Sequence, residues 1–151
     1  MAIYVGIDPG KSGGICVYNT ETTDIESHKM PDTVHGIAEL LGDIIVKHAD
    51  KGIKVVLEKV HAMPGQGVTS MFTFGQGFGW LEGVISALGM PCIEVPPQRW
   101  MKLIGTMPKD KADRKKFIKD WAEKRSGQKL PLYIADAVAI AYTAPTVWGG
   151  K

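Results

Sequence analysis

The sequence predicts an α/β domain: a mixed sheet of five strands flanked by helices. Three observations carry that reading. Apolar runs of strand length open the chain and recur further along it, helical periodicity fills the gaps, and a group of strands precedes the strand–helix alternation. Strands are expected near 2–8, 13–19, 24–30, 53–59 and 91–95. Asp32 should open a helix whose apolar stripe is Ile37, Leu40, Leu41, Ile44 and Ile45, ended by Gly52. A second helix is expected over about 69–88. A basic helix at about 111–125 buries Phe117, Ile118, Trp121 and Ala122, and a fully apolar one starts near 134.

With 151 residues the chain can enclose one good core, so 1–151 reads as a single domain without repeats or linkers. Its hydrophobic share of 44% is that of a globular protein, and no apolar stretch has the length of a membrane span. The chain enters a strand at once, so no secretory segment is expected and the cytoplasm is the expected location. Cys16 and Cys92 lack motif spacing and read as reduced core thiols. His28, His35, His48 and His61 complete no zinc pattern with them.

Three acids stand where acids are out of place. Asp8 ends the run Ile3–Asp8 just before Pro9-Gly10-Lys11-Ser12-Gly13-Gly14, where an aspartate is either a turn former or a ligand. Glu58 ends the strand Ile53-Lys54-Val55-Val56-Leu57, and glutamate is neither a turn former nor favoured in strands. Were the two strands neighbours, both carboxylates would leave the same sheet edge within reach of one ion, and hard divalent cations take such oxygen ligands. Asp136 lies in Ile134-Ala135-Asp136-Ala137-Val138-Ala139-Ile140-Ala141, apolar on every side. A buried carboxylate must be paired, protonated or bound to a cation. As a helix N-cap it would be an ordinary residue, and capping does not exclude coordination.

Charge is divided along the chain. Residues 1–98 carry 6 Lys/Arg against 11 Asp/Glu, residues 99–151 carry 12 against 5, and 11 of those bases fall between Arg99 and Lys129. Such a cluster reads either as a solvated helix face or as the footprint of a polyanion. The acid-lined site favours the polyanion, because phosphate needs a basic surround.

Asp8-Pro9-Gly10, Leu57-Glu58-Lys59-Val60 and Ala135-Asp136-Ala137-Val138-Ala139-Ile140-Ala141, in this order and spacing, resemble the RuvC family of Holliday junction resolvases. Met63-Pro64-Gly65-Gln66-Gly67 and Met71-Phe72-Thr73-Phe74-Gly75 look most like its phage-encoded branch, which implies a bacterial host cell. The resemblance implies a ribonuclease H-like fold, a homodimer, and nicking of four-way and other branched DNA with one or two Mg²⁺ or Mn²⁺ ions per subunit. By position it assigns Asp8, Glu58 and Asp136 as catalytic metal ligands. It makes Lys111 the match to a catalytic lysine, with Lys109 the runner-up. The chain departs from the family where another acid usually stands one turn before the last aspartate, since Leu132 and Tyr133 occupy those positions.

Phosphate contacts are expected from Arg99, Lys102, Lys109, Lys115 and Lys119. The loop His61–Val68, with His61 and Gln66, follows Glu58 directly and could probe an opened junction. His61 matches the position of a base-stacking aromatic in the family, whereas Phe72 and Phe74 read as core. Gly75, Gly79 and Gly83 share one face of the second helix, whose glycines cost stability unless another backbone comes close. That backbone is either the chain's own sheet or, as the resemblance implies, a second subunit meeting the glycines and Phe78. The expected function is junction resolution by paired nicking. The alternatives are another ribonuclease H-like nuclease, of hybrid-ribonuclease or transposase type, and a catalytically weak junction binder.

Overall fold

The computed structural model describes residues 2–62 and 65–150. Met63 and Pro64 of the motif after Glu58, and Lys151 of the tail expected to fray, lie outside the described residues.

Five strands form one sheet: β1 (Ala2–Asp8), β2 (Gly14–Asn19), β3 (Ile25–Lys29), β4 (Gly52–Glu58) and β5 (Cys92–Val95), in the order β3-β2-β1-β4-β5. β1, β2 and β3 are antiparallel neighbours, while β4 runs parallel to both β1 and β5. The helices are α1 (Val34–Lys47), α2 (Val68–Ala87), α3 (Pro97–Met101), α4 (Lys111–Ser126) and α5 (Leu132–Trp148).

Strand alternation divides the core in two. Ile3, Val5 and Ile7 of β1, with Val55 and Leu57 of β4, pack against Ile37, Leu41 and Ile44 of α1 and Leu81, Val84 and Ile85 of α2. On the other face Val56 and Val95 pack with Trp100, Ile118 and the α5 side chains Ala135, Ala139 and Ile140. Gly6 makes that packing possible. A Cβ there would lie 2.7 Å from the Ala137 carbonyl oxygen and would also strike Ala141, so glycine lets α5 settle directly on β1.

Several boundaries differ from the sequence reading for local reasons. Thr33, not Asp32, caps α1: its extended backbone lets the hydroxyl accept from Gly36 N–H at 3.0 Å. The same helix ends at Lys47, and Gly52 instead begins β4. Helix α3 was not expected; it is one turn opened by Pro97, too short to leave a periodic signal. Helix α5 starts at Leu132 after Pro131, so Asp136 lies within the helix and does not cap it. Among the described residues no helix is long and apolar enough to cross a membrane.

Candidate active site

Asp8 and Glu58 meet because of register. Ile7 pairs with Leu57 across parallel β1 and β4, so the following residue of each strand, Asp8 and Glu58, leaves the sheet at the same edge. The period of two fixes their direction. Ile7 and Leu57 point to the α1/α2 face, which turns Asp8 and Glu58 to the α5 face, where Asp136 arrives. Glu58 and Asp136 are two of the three buried polar residues among the described ones.

Each carboxylate has a distinct environment. Trp100 of α3, fully buried, donates its indole N–H to Glu58 Oε2 at 2.7 Å. Lys115 of α4 places its ammonium 3.2 Å from Asp136 Oδ2, while Asp136 Oδ1 is buried without a hydrogen-bond partner among the described residues. Burial, then the charges of Asp136 and Glu58, push the Asp8 carboxyl up to about 8, against the pull of Lys115. Burial is also the main cause that raises Glu58 to about 7, with Asp136 adding and the Trp100 and Lys115 contacts opposing.

An all-oxygen set under mutual repulsion, with one orphaned buried oxygen, is the donor chemistry that suits a hard divalent cation. Among the described residues no three His, Cys, Asp or Glu side chains converge tightly enough to enclose an ion as they stand. The ammonium of Lys115 is the cation that reaches them.

The remaining expected residues fall into separate groups. Lys111 is the exposed first residue of α4, and the lysine one turn on, Lys115, is the one that faces the carboxylates. Lys115, expected as a phosphate contact, is thus the lysine of α4 that meets Asp136. Lys102 and Lys109 are exposed and Arg99 is half-buried, whereas Lys119 pairs with Glu123 of its own helix at 3.2 Å. His61 and Gln66 are exposed and line a cleft of about 1030 Å³ with Lys11, Ser70, Thr73 and Phe74.

On α2, no atom of another element lies within 4 Å of a Cβ built at Gly75, Gly79 or Gly83 among the described residues, so the stripe does not pack against the chain's own sheet. Phe78, expected beside it, packs instead against the α1/α2 core and stacks on Phe74 at 6.4 Å between ring centres. Phe72 is 71% exposed and is not a core residue. Trp100 was missed as a site residue. Its only signal was a large aromatic in a polar stretch after β5, which gave no hint of a carboxylate partner.

No protein-family model matches the sequence, and no curated protein does either. Solved structures do match. RuvC of Thermus thermophilus in complex with a Holliday junction substrate superposes with a TM-score of 0.68 at 17% identity, covering 97% of this chain and 96% of that one. The fowlpox virus resolvase, in complex with its substrate Holliday junction DNA, gives 0.52 at 15% identity over 97% and 95% of the two chains. The yeast mitochondrial Holliday junction resolvase gives 0.52 at 12% identity over 93% and 76%.

The fold is that of the Holliday junction resolvases. The ribonuclease H-like architecture expected from the sequence, a five-stranded mixed sheet flanked by helices, is thereby borne out, and the likeness extends over nearly the whole chain.

Proposed function

We propose that this chain is a divalent-metal-dependent endonuclease that resolves four-way DNA junctions by paired nicks. The observation that carries the proposal is the joining of Asp8, Glu58 and Asp136 at one sheet edge in a fold shared with junction resolvases. Asp8, Glu58 and Asp136 would hold Mg²⁺ or Mn²⁺. When bound, the metal supplies a water of lowered pKa and charge stabilisation on the attacking and leaving oxygens of a phosphodiester.

The chain's own residues do the rest. Trp100 fixes one oxygen of Glu58 and so sets the direction of the other. Lys115 holds Asp136 in place and offers positive charge beside the site where a phosphate gains negative charge in the transition state. Lys111 remains a candidate phosphate contact from the exposed start of α4. Arg99, Lys102 and Lys109 supply sequence-independent attraction to phosphates. His61 and Gln66, on the loop that follows Glu58, would enter the junction centre, with exposed Phe72 as a further stacking surface.

Two opposed cuts need two sites, and a two-fold dimer matches the approximate two-fold symmetry of a four-way junction. The open Gly75–Gly79–Gly83 face of α2 is the surface assigned to that contact.

The decisive experiment incubates the protein with labelled four-way junction, linear duplex and RNA–DNA hybrid, with and without Mg²⁺. Paired symmetric nicks in the junction alone, dependent on Mg²⁺, are expected. Preferential cutting of the hybrid would make it a ribonuclease, and junction binding without cutting in any metal would make it a binding protein.

A further inference from the structure

The first turn of α5 reaches past the sheet. Gly14 is the partner of Asp8 in the β1–β2 ladder, and a Cβ built at Gly14 would strike the Ile134 side chain, so Ile134 lies level with the strand end that carries Asp8. Leu132 and Tyr133 come just before it and stand outside the core, 52% and 43% exposed. Among the described residues they are the only adjacent pair of exposed large apolar side chains, and such side chains are normally scattered singly.

Helix geometry sets the side on which they stand. Leu132 and Tyr133 precede Asp136 by four and three positions, so all three share one face of α5, with neighbouring Cβ atoms about 5–6 Å apart. Further along that face Ala139 and Ile140 are buried with Val56 and Trp100. The face therefore runs from core, through the Asp136 carboxylate, to an exposed aromatic ring. Side chains lean toward the helix N-terminus, which turns Asp136 towards the turn that Tyr133 occupies. The position at which the family resemblance would place another acid thus carries a ring at the rim of the site.

A DNA strand with a phosphate at the three carboxylates passes close to that ring, because 5–6 Å is less than about two steps of 3.4 Å along a strand. The ring can stack only on a base with a free face. Inside linear duplex both faces of every base are covered by its neighbours, and freeing one costs unstacking energy. At a branch point the stack is already interrupted.

We propose that Tyr133 is a substrate-contact residue that stacks on the nucleobase beside the phosphate being cut and so favours branched over linear DNA. This rests on the nuclease reading and adds to it a residue that discriminates between substrates.

The test measures affinity in chelator, where cutting is suppressed, for a four-way junction and for linear duplex of the same sequence in the same salt. Tyr133→Ala should bind the junction about 5- to 150-fold more weakly, the loss of one stacked base, and should bind duplex as tightly as the unaltered chain. Tyr133→Phe, which keeps the ring, should match the unaltered chain on both. The position is exposed and alanine favours a helix, so the variant should fold, and a circular dichroism spectrum checks this. Tyr133→Leu, which keeps apolar bulk without the ring, carries the same expectation should the alanine variant misfold. Equal losses on both DNAs, an unchanged junction affinity in a folded alanine or leucine variant, or a Tyr133→Phe as weak as Tyr133→Ala would overturn the inference. Paired, Mg²⁺-dependent cutting by the unaltered chain would then leave the nuclease reading standing. An unaltered chain that neither binds nor cuts junctions would remove both.

Discussion

Trp100 and Glu58 are 42 positions apart in sequence and meet by one hydrogen bond of 2.7 Å, the indole donating and the carboxylate accepting, with both side chains buried. The bond joins the wall of the core to the sheet edge that carries the site. A free buried glutamate could swing, whereas this one has Oε2 held by the indole and its other oxygen left unengaged by Trp100.

Replacing Trp100 by Phe keeps an aromatic ring in the core and removes the donor. Loss of such an outer contact to a metal ligand lowers affinity or activity by about 10–100-fold. Junction binding through the basic surface should change little. The measurement compares cleavage rate, Mn²⁺ affinity and junction affinity in Trp100→Phe. A fall in stability alone, with metal affinity intact, would reduce Trp100 to a packing residue.

Asp8→Asn, Glu58→Gln and Asp136→Asn should each abolish nicking and leave junction binding largely intact. Stability should move the other way for the first of these. Asp8 is disfavoured as an anion by burial and by the charges of Asp136 and Glu58, so a neutral side chain relieves that cost. In metal-free protein at pH 8, Asp8→Asn should therefore melt higher, by about 2–4 °C per kcal/mol for a chain of this size. Scanning calorimetry in chelator checks it.

The same two raised carboxyls set a pH dependence. Asp8 titrates at about 8 and Glu58 at about 7 in the folded chain, both above the ordinary carboxylate range that holds when unfolded. Between that range and about pH 8 the folded state binds more protons than the unfolded one, so metal-free stability falls as pH rises through this window. Glu26, Asp120 and Glu123, held low by lysines and a backbone N–H, lose their contribution only at lower pH and do not mask the trend. Saturating Mg²⁺ should offset the loss at high pH, because the ion binds the deprotonated ligands. Melting curves from acid to mildly alkaline pH, with and without Mg²⁺, would show it; a metal-free protein most stable at pH 8 would contradict it.

What the sequence made legible follows from how each feature is encoded. Asp8 and Glu58 were readable because each ends a largely apolar strand, and strand periodicity turns both to one face once β1 and β4 pair in parallel register. Asp136 was readable because nothing else in its helix is charged. Lys115 was legible only as a phosphate contact, since telling which lysine of α4 meets Asp136 requires the rotation of α4 against α5, a tertiary quantity. Trp100 was hidden in a one-turn helix below the length at which periodicity speaks. The exposure of Phe72 was hidden for the opposite reason: α2 is apolar nearly all round, so its sequence does not distinguish the side that meets α1 from the side left open.

Junction affinity should fall steeply with salt. Neutralising Arg99, Lys102 or Lys109 should each flatten the slope of log affinity against log salt, by about 0.9 for every phosphate that the side chain had neutralised. Lys119→Ala should matter less, because its ammonium already pairs with Glu123. Binding isotherms at several salt concentrations give the slopes, and a slope unchanged when Arg99, Lys102 and Lys109 are neutralised together would make the cluster a solvated face.

The glycine stripe separates dimerisation from folding. Among the described residues no other element lies within 4 Å of a Cβ built at Gly79, so a side chain there has open space beside it. Leucine at this helical position should even add about 0.8 kcal/mol of helix propensity to the isolated chain. If α2 meets its two-fold mate through this face, the same leucine would force two closely approached backbones apart. Gly79→Leu should thus yield a monomer that melts no lower than an undimerised wild-type chain, still binds junctions weakly and makes single unpaired nicks. Sedimentation equilibrium with a cleavage assay on a circular junction substrate measures both. A Gly79→Leu protein that remains dimeric and makes paired nicks would move the interface off this face of α2.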